Sequence, residues 1–209
     1  MASPSRATLV AAGAGVVLVA GSMLAVASSL DRGRVPEFAP TVRRPQSLPP
    51  DLVEDTITVD ARQSDSWVHV DLSRRAVVDA GDARWDLAVR RFRIRTRGLA
   101  TDPSPVVARV AEETAFERVA EAPPSGYLAS AVTPRGDTVT AAFEDWYAYR
   151  FWSHLLVPRS RTWIIRTADD LYAKVEILSY YCPGAVAGCL TFRYAVQGDG
   201  SRRLSSPRP

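Results

Sequence analysis

Two cysteines near the end of the chain are the first residues whose spacing points to chemistry. Cys182 and Cys189 lie at the two ends of a turn with the sequence CPGAVAGC. If Tyr180 pairs with Leu190 across this hairpin, the sulfur atoms face each other, and a disulfide would contribute about 2–3 kcal/mol. Two free buried thiols are an alternative. A metal site is a weaker one, since a metal needs about four ligands and the chain adds only two histidines. We expect the disulfide, which requires an oxidising compartment.

Arginines alternate along one stretch in the middle of the chain, at Arg91, Arg93, Arg95 and Arg97. Residues spaced by two lie on the same face of a β-strand, so this pattern predicts a basic stripe. Arginine pairs well with carboxylate and phosphate, which makes the stripe a candidate anion site. The alternative, which we favour, is a solvated strand face. Its arginines would pair with nearby acids such as Glu112, Glu113 and Glu176.

Motifs of enzyme chemistry are missing from the sequence. There is no Gly-x-Ser-x-Gly elbow, no glycine-rich phosphate loop and no His-Glu-x-x-His metal motif. The net charge of +3 over 209 residues does not call for a nucleic-acid partner. We therefore expect a non-catalytic protein, in which most of the five tryptophans fill the core.

Three apolar runs near the C-terminus, Trp163–Thr167, Leu171–Tyr181 and Leu190–Val196, are separated by two turn signals. Their valine, isoleucine, tyrosine and phenylalanine content is typical of strands, and the Asp-, Pro- and Gly-containing breaks are typical of reversals. The sequence predicts a three-stranded antiparallel meander. Alternating residues place apolar side chains on one face and charges on the other, which indicates one face on a core and one in solvent.

The middle of the chain predicts further strands and one short helix. Trp67–Leu72 alternates so that His69 falls on the solvent face of its strand. Trp85–Thr96 predicts a long strand whose parity slips near Arg90, where a β-bulge would restore a single apolar face. Ser104 can cap a short helix that begins at Pro105.

The N-terminal segment is almost unbroken apolar and small residues from Ala7 to Leu30, with no charge between Arg6 and Asp31. About 20 such residues are enough to cross a bilayer. Either the segment remains as a membrane anchor, which we favour, or it is a signal peptide cut after Ala27. Both outcomes place the rest of the chain outside the cytoplasm, in agreement with a disulfide.

The domain organisation follows from these segments and has four parts. Residues 1–31 form the apolar helix, and residues 32–52 contain five prolines and predict a semi-rigid spacer. Residues 53–197 form the β domain. Residues 198–209 are polar, carry Gly, Ser and Pro, and predict a disordered tail.

Four segments of the chain carry a resemblance to a known family. They are SWVHVDL with the following RAVVDA; RWDLAVRRFRIRT; EDWYAYRFWSHLLVP; and TWIIRTADDLYAKVEILSYY with the following GCLTFRYA. Together they resemble the HmuY family of exported haem-binding proteins, in the same order over roughly residues 55–197. It implies a mainly antiparallel all-β domain, here with one short helix and preceded by the N-terminal transmembrane or signal helix. The family's lipid-attachment cysteine is missing from this sequence.

The resemblance also implies haem as a cofactor. Haem needs an apolar slot, cations for its propionates and one or two ligands for iron. His69 and His154 are the only histidines and therefore the candidate axial ligands, although each is also compatible with a purely structural role. Arg91, Arg93 and Arg95 are the candidate propionate partners. We expect no metal beyond the haem iron.

The function implied by the resemblance is haem acquisition by an exported protein. The protein would be tethered to a membrane by its N-terminal helix, facing the periplasm or the cell surface, or secreted if the leader is cleaved. Its partner would be a haem-delivery protein or an outer-membrane receptor. The alternative is a non-catalytic envelope domain of the same fold that binds no haem and serves as an interaction or scaffold module.

Overall fold

The computed structural model describes residues 35–112 and 115–206, and within these ranges the chain is built from β-strands. The predicted all-β class is confirmed, whereas the N-terminal apolar segment lies outside the described residues. The strands are β1 (Leu52–Asp60), β2 (Val68–Asp71), β3 (Ala76–Val78), β4 (Leu87–Arg90), β5 (Arg93–Thr96), β6 (Val107–Val110), β7 (Ala131–Val132), β8 (Thr138–Val139), β9 (Tyr147–Arg150), β10 (Leu155–Pro158), β11 (Thr162–Arg166), β12 (Tyr172–Cys182) and β13 (Val186–Gln197). Two short 3-10 turns occupy Phe116–Arg118 and Ala141–Phe143. No helix in these ranges is long and apolar enough to cross a membrane.

The strands form two antiparallel sheets and two ribbons. The larger sheet has the order β1-β13-β12-β11-β6, and the smaller has the order β3-β2-β4-β5. The ribbons are β9–β10 and β7–β8. Strands β11, β12 and β13 are neighbours in sequence and in the sheet, so the predicted C-terminal meander is confirmed.

Both sheets contribute to one apolar core. Trp163, Val175 and Phe192 come from the larger sheet, and Leu87 and Val89 from the smaller, and none is more than 2% exposed. Alternation along each strand places these side chains on a single face. Full burial of such a side chain stabilises the fold by about 1.5–3 kcal/mol.

The charged face of β12 is covered at Lys174, whereas Tyr172, Glu176 and Leu178 on the same face are partly exposed. Lys174 is only 2% exposed, and its ammonium donates hydrogen bonds to the carbonyl oxygens of Phe116 at 2.9 Å and Val119 at 3.1 Å. Its Nζ atom also lies 4.5 Å from the centre of the Phe116 ring. The period-2 pattern separates the two faces of a strand, but it carries no information about which segment folds over the charged one.

The predicted long strand Trp85–Thr96 is wrong, because the chain reverses in its middle. Arg90 pairs with Arg93, so Arg91 and Phe92 form a two-residue turn between β4 and β5, with Arg91 at a φ of 55°. Such turns usually carry Asn-Gly or a similar pair, so the residue types gave no turn signal. The slip in parity near Arg90 therefore marks a reversal of the chain and not a β-bulge.

The predicted short helix after Pro105 is also wrong. Residues Val107–Val110 form the edge strand β6, which pairs with β11 so that Val110 lies opposite Trp163. The capping signal at Ser104 is outweighed by β-branched residues that fit a half-buried sheet edge. Tertiary pairing, which the sequence does not display, decides the outcome here.

The proline-rich stretch 35–50 runs along the domain instead of standing away from it. Phe38 donates its backbone N–H to the carbonyl of Tyr181 at 3.0 Å, and Thr41 donates to Thr58 at 2.9 Å. Proline blocks regular strand ladders but leaves the intervening residues free to form single bonds of this kind. This part of the predicted spacer is therefore hydrogen-bonded to strands β1 and β12 of the larger sheet.

The segment after β13 is likewise packed where the structure describes it. Leu204 is fully buried, and its N–H donates to the carbonyl of Ala120 at 2.8 Å. Residues 198–206 therefore differ from the disorder expected for residues 198–209. One leucine among polar residues was too weak a sequence signal to predict this anchoring.

The Cys182–Cys189 disulfide is present, which confirms that prediction. The register differs from the expected one: Tyr181 pairs with Ala187 and Cys182 with Val186, because β12 is irregular between Ile177 and Tyr181. Both sulfur-bearing residues are buried, and their Cα atoms lie 4.9 Å apart. No other cysteine exists in the sequence.

The carboxylate of Asp86 connects the two sheets. One of its oxygens accepts the N–H of Leu72 at 2.8 Å, beyond the end of β2, and the other accepts the N–H of Ala168 at 2.7 Å, beyond the end of β11. The residue is 1% exposed. Burial raises the pKa of Asp86 to about 7, despite the two hydrogen bonds that favour the ionised form.

Loss of the disulfide is expected to destabilise the domain by about 2–3 kcal/mol, because the link restricts the unfolded chain. Urea unfolding of the Cys182→Ala/Cys189→Ala variant measures the loss against the oxidised protein. Wild-type protein kept reduced by a dithiol is the matched control, since it retains both sulfur atoms. An unfolding midpoint equal to that of the oxidised protein in both cases would contradict the prediction.

Asp86 is expected to make stability fall as pH rises from about 4 to about 8. The folded state holds the Asp86 proton up to a pKa of about 7, whereas the unfolded state releases it near 3.8, so this stabilisation is complete only below the lower value. Urea unfolding of wild type and Asp86→Asn at several pH values isolates the effect. The difference in free energy of unfolding between wild type and Asp86→Asn should fall by an amount on the order of 4 kcal/mol across this window. An advantage that is constant or grows with pH would contradict the assignment.

Candidate functional site

The loop between β9 and β10 presents aromatic side chains and one histidine at the surface. Phe151 and Trp152 are 68% and 75% exposed, and their rings meet edge to face with centroids 5.5 Å apart. His154 closes the loop at a φ of 54°, in the left-handed region that a non-glycine residue adopts infrequently. The loop therefore holds an imidazole among exposed aromatic rings.

A cavity of about 420 Å³ opens beside this loop. It lies where the β4–β5 turn, the β9–β10 loop and the β12–β13 hairpin meet. Its volume is within the range of small-molecule sites. Aromatic rings, one imidazole and one guanidinium form much of its wall. The residues that matter here are Arg91, Phe92, Trp152, His154, Tyr180 and Ala185.

The imidazole of His154 is oriented by a neighbouring phenol. Its Nδ1 atom is hydrogen-bonded to the hydroxyl of Tyr149, on the strand that leads into the loop. Either group can donate, depending on the imidazole tautomer. When Nδ1 carries the proton and donates to Tyr149, Nε2 is left as the acceptor nitrogen. Metal-binding histidines are commonly oriented by a hydrogen bond of this kind at the second ring nitrogen.

Arg91 brings a positive charge to the same cavity. Its backbone N–H donates to the carbonyl of Ala61 at 2.9 Å, and its guanidinium donates to the carbonyl of Arg62 at 3.0 Å. The turn that carries Arg91 is thus held by the chain just after β1. The guanidinium retains further N–H groups for an anionic ligand.

Arg93 lies on a second cavity of about 450 Å³ that shares the Phe92 side chain with the first. Its guanidinium forms an ion pair with Asp137 at 2.8 Å. Trp146 also lines this cavity and donates its indole N–H to the carbonyl of Phe92 at 2.8 Å. Arg91 and Arg93, two of the predicted anion partners, therefore face adjacent cavities.

Arg95 and His69 lie in a separate cluster on the smaller sheet. The Arg95 guanidinium lies over the rings of Trp67 and Trp85, 4.4 Å and 5.5 Å from their centres, and the His69 ring is 4.6 Å from that of Trp85. His69 is 7% exposed, so its predicted solvent position is wrong. Burial and the charge of Arg95 lower the pKa of His69, which favours the neutral ring. The ring of Trp85, 16 residues further along the chain, covers His69 on this strand face, which strand alternation does not reveal.

The two histidines are therefore placed in different clusters, His154 on the cavity and His69 against Trp85. The predicted basic stripe is also divided, because Arg91 and Arg93 line cavities whereas Arg95 lies over the tryptophans. The acidic partner of Arg93 is Asp137 and not one of the expected glutamates. Within the described ranges, no group of three or more His, Cys, Asp or Glu side chains is placed to hold a metal ion.

Sequence reasoning placed Tyr149 in the aromatic cluster beside His154 but missed its hydrogen bond to the imidazole, and it missed Phe92 and Asp137 as parts of the site. Tyr149 reaches His154 only because β9 and β10 form a hairpin in which Tyr149 lies opposite Leu156. The sequence carries no typical turn pair between the two strands, so it does not reveal this pairing. Asp137 contacts Arg93 across 44 residues of sequence, and no local pattern signals such a contact.

The fold and the cavity define an all-β protein with an aromatic-lined cavity at its surface. The chain belongs to the HmuY family, whose model, described as HmuY protein, matches residues 63–194. The comparison with curated proteins found no match. Family membership thus rests on the family model, whereas the solved structures described below show only that the fold is shared.

Solved structures share this fold at low sequence identity. The apo HmuY analogue of Tannerella forsythia has a TM-score of 0.58 and 16% identity, covering 70% of this chain and 97% of its own. A provisionally assigned lipoprotein of Bacteroides fragilis has a TM-score of 0.55 and 18% identity, covering 68% and 88%. A provisionally assigned HmuY-like haem-binding protein of Bacteroides vulgatus has a TM-score of 0.55 and 18% identity, covering 68% and 90%.

Replacing Arg95 with methionine is expected to raise the pKa of His69 toward its ordinary value. The substitution removes the nearby positive charge and loosens the cover of the imidazole, and both changes favour protonation. A pH titration of the histidine ring protons by NMR measures the shift. Arg93→Met is the matched control, because Arg93 pairs with Asp137 instead. Equal His69 pKa values in wild type and Arg95→Met would contradict this account of the cluster.

Proposed function

We propose that this chain is an extracytoplasmic haem-binding protein of haem acquisition, in which His154 is the axial ligand to iron. The observation that carries the proposal is the position of His154, which lies on an aromatic cavity with Tyr149 at its Nδ1 atom. Membership of the HmuY family and the haem-binding assignment of the Bacteroides vulgatus relative support haem as the ligand.

The residues at the cavity fit the chemical requirements of haem. Bound haem would supply an iron centre that accepts an imidazole as axial ligand. His154 offers the nitrogen, and the rings of Phe92, Trp152 and Tyr180 offer apolar contact for a planar macrocycle. Haem binding would bury the positive charge of Arg91, which lines the cavity. A haem propionate would neutralise that charge, so no unpaired charge would be buried.

The propionates would be met by Arg91, with Arg93 on the adjoining cavity as the second candidate. Arginine binds carboxylates through parallel N–H donors, and such charge-assisted bonds are stronger than neutral ones. Arg95 is the least suitable of the three predicted partners. Its guanidinium is held over Trp67 and Trp85 and lines neither cavity.

An exported location agrees with two features of the chain. The disulfide requires an oxidising compartment, and the apolar segment Ala7–Leu30 is long enough to act as an anchor or leader. The lipoprotein assignment of the Bacteroides fragilis relative points in the same direction. We propose a membrane-tethered domain that passes haem to a delivery protein or an outer-membrane receptor.

A second candidate function is an envelope interaction module of the same fold that binds no haem. The exposure of Phe151 and Trp152 favours it, because large exposed aromatic side chains grouped together often mark contact sites. The separation of His69 from His154 also favours it, since it leaves one imidazole at the cavity. Neither candidate involves catalysis.

Titration of the purified full-length chain with haemin separates the two candidates. We expect a Soret shift in the wild type, and in His154→Ala a changed Soret band with affinity lowered on the order of 10- to 100-fold or more. Removing only the hydrogen-bond partner of a metal-binding residue typically lowers metal affinity by about 10- to 100-fold, and removing the ligand itself should cost at least as much. Absorbance and tryptophan quenching give the two readings.

His69→Gln is the matched control, because it removes the other imidazole from the buried cluster. Its Soret spectrum and affinity should equal those of the wild type. A Soret shift that survives in His154→Ala and disappears in His69→Gln would contradict the assignment of His154. No shift at micromolar haemin in the wild type would favour the interaction module.

A further inference from the structure

The disulfide-closed loop forms one wall of the His154 cavity, although the disulfide itself is buried. Ala185 and Ala187, which lie between the two cysteines, line the cavity. Cys182 is 6% exposed and Cys189 fully buried. The disulfide therefore lies behind the wall of the cavity. It closes a loop between two residues that are seven positions apart in sequence.

A short path of hydrogen bonds leads from this loop to Arg91 on another wall. Ala61 donates its N–H to the carbonyl of Gly188 at 2.8 Å, and Arg91 donates its N–H to the carbonyl of Ala61 at 2.9 Å. The guanidinium of Arg91 then reaches the carbonyl of Arg62 at 3.0 Å. Residues 61–62 thus bridge the disulfide-closed loop and the β4–β5 turn.

The contact at Gly188 is too close for any other residue. A Cβ atom at this position would lie 2.7 Å from the Cγ atom of Arg62 and 3.0 Å from its Cα atom, and the φ of Gly188 is +120°. Since the backbone of Arg62 is part of this contact, a displacement of the loop would be passed directly to Arg62 and from there to Arg91.

We infer that the Cys182–Cys189 disulfide is a positioning element of the ligand cavity, which fixes Arg91 toward an anionic group through Gly188, Ala61 and Arg62. The ligand class is a carboxylate-bearing planar molecule, and this inference rests on the proposed function for the identity of that ligand. Without the disulfide, the backbone at Gly188 becomes more mobile, and the guanidinium of Arg91 is no longer held in one position. The disulfide acts through Arg91 and does not touch the ligand.

Amide hydrogen exchange in the full-length chain without haem tests the path itself. In Cys182→Ala/Cys189→Ala, exchange at the N–H groups of Ala61 and Arg91 should accelerate about tenfold more than exchange at Ala108, which reports the loss of global stability, because local opening at this wall no longer works against a closed loop. The N–H of Ala108, bonded to Leu128 at 2.9 Å on the opposite edge of the larger sheet, is the internal reference. Equal acceleration at Ala108 would mean a global effect and would overturn the inference, as would unchanged exchange at Arg91.

A pair of glycine variants tests the path with both cysteines intact. Gly188→Ala forces Arg62 to shift, whereas Gly184→Ala at a φ of +79° meets no atom within 4 Å and adds backbone strain only. We expect faster exchange at Arg91 in Gly188→Ala alone. We also expect haemin affinity about tenfold weaker in that variant, the size of one charge-assisted hydrogen bond. The same exchange rate and affinity in both variants would overturn the inference.

Failure of this inference is distinguishable from failure of the proposed function. If haemin binds through His154 but the disulfide variant keeps wild-type affinity and Arg91 protection, the positioning role is overturned and the function stands. If the wild type binds no haemin, the proposed function fails. The exchange rates at Ala61 and Arg91 then still decide whether the disulfide positions this wall.

Discussion

The carboxylate of Asp86 is the interaction on which the arrangement of the two sheets depends. It accepts the backbone N–H groups of Leu72, just after β2 of the smaller sheet, and Ala168, just after β11 of the larger, from a position that is 1% exposed. The backbone of Asp86 is also used, since its N–H donates to Val70 at 2.8 Å. A buried carboxylate is costly unless its oxygens are satisfied, so these two hydrogen bonds favour the observed contact between the sheets.

Three hairpin ends meet at one place, one from each sheet and one from the β9–β10 ribbon. The β4–β5 turn supplies Arg91, the β9–β10 loop supplies His154, and the β12–β13 hairpin supplies Ala185. Cross-links between the ends then hold them, among them the hydrogen bond from the N–H of Leu156 to the hydroxyl of Tyr181 at 2.8 Å. The cavity is therefore built from loops on a rigid scaffold, which is where binding sites commonly arise.

Some of this architecture could be predicted from the sequence, and the successes share a cause. The C-terminal meander and the disulfide depend on local pattern: alternating residues, two turn signals and the spacing of Cys182 and Cys189. The failures depend on distant contacts or on a turn without the usual turn residues. His69 has the alternation of an exposed residue but is covered by Trp85, and Arg91 carries no turn signature yet occupies a turn. Of the site, His154 and Arg91 were identified from composition and resemblance, whereas Tyr149 required the hairpin register.

We propose that His154 on the aromatic cavity, and not His69 in the tryptophan cluster, holds haem. The most direct measurement is a crystal structure of the full-length chain bound to haemin, with anomalous scattering used to locate the iron. This account predicts an iron peak bonded to an imidazole nitrogen of His154, with Arg91 contacting a propionate. An iron peak bonded to His69, or haem bound away from the cavity, would contradict it.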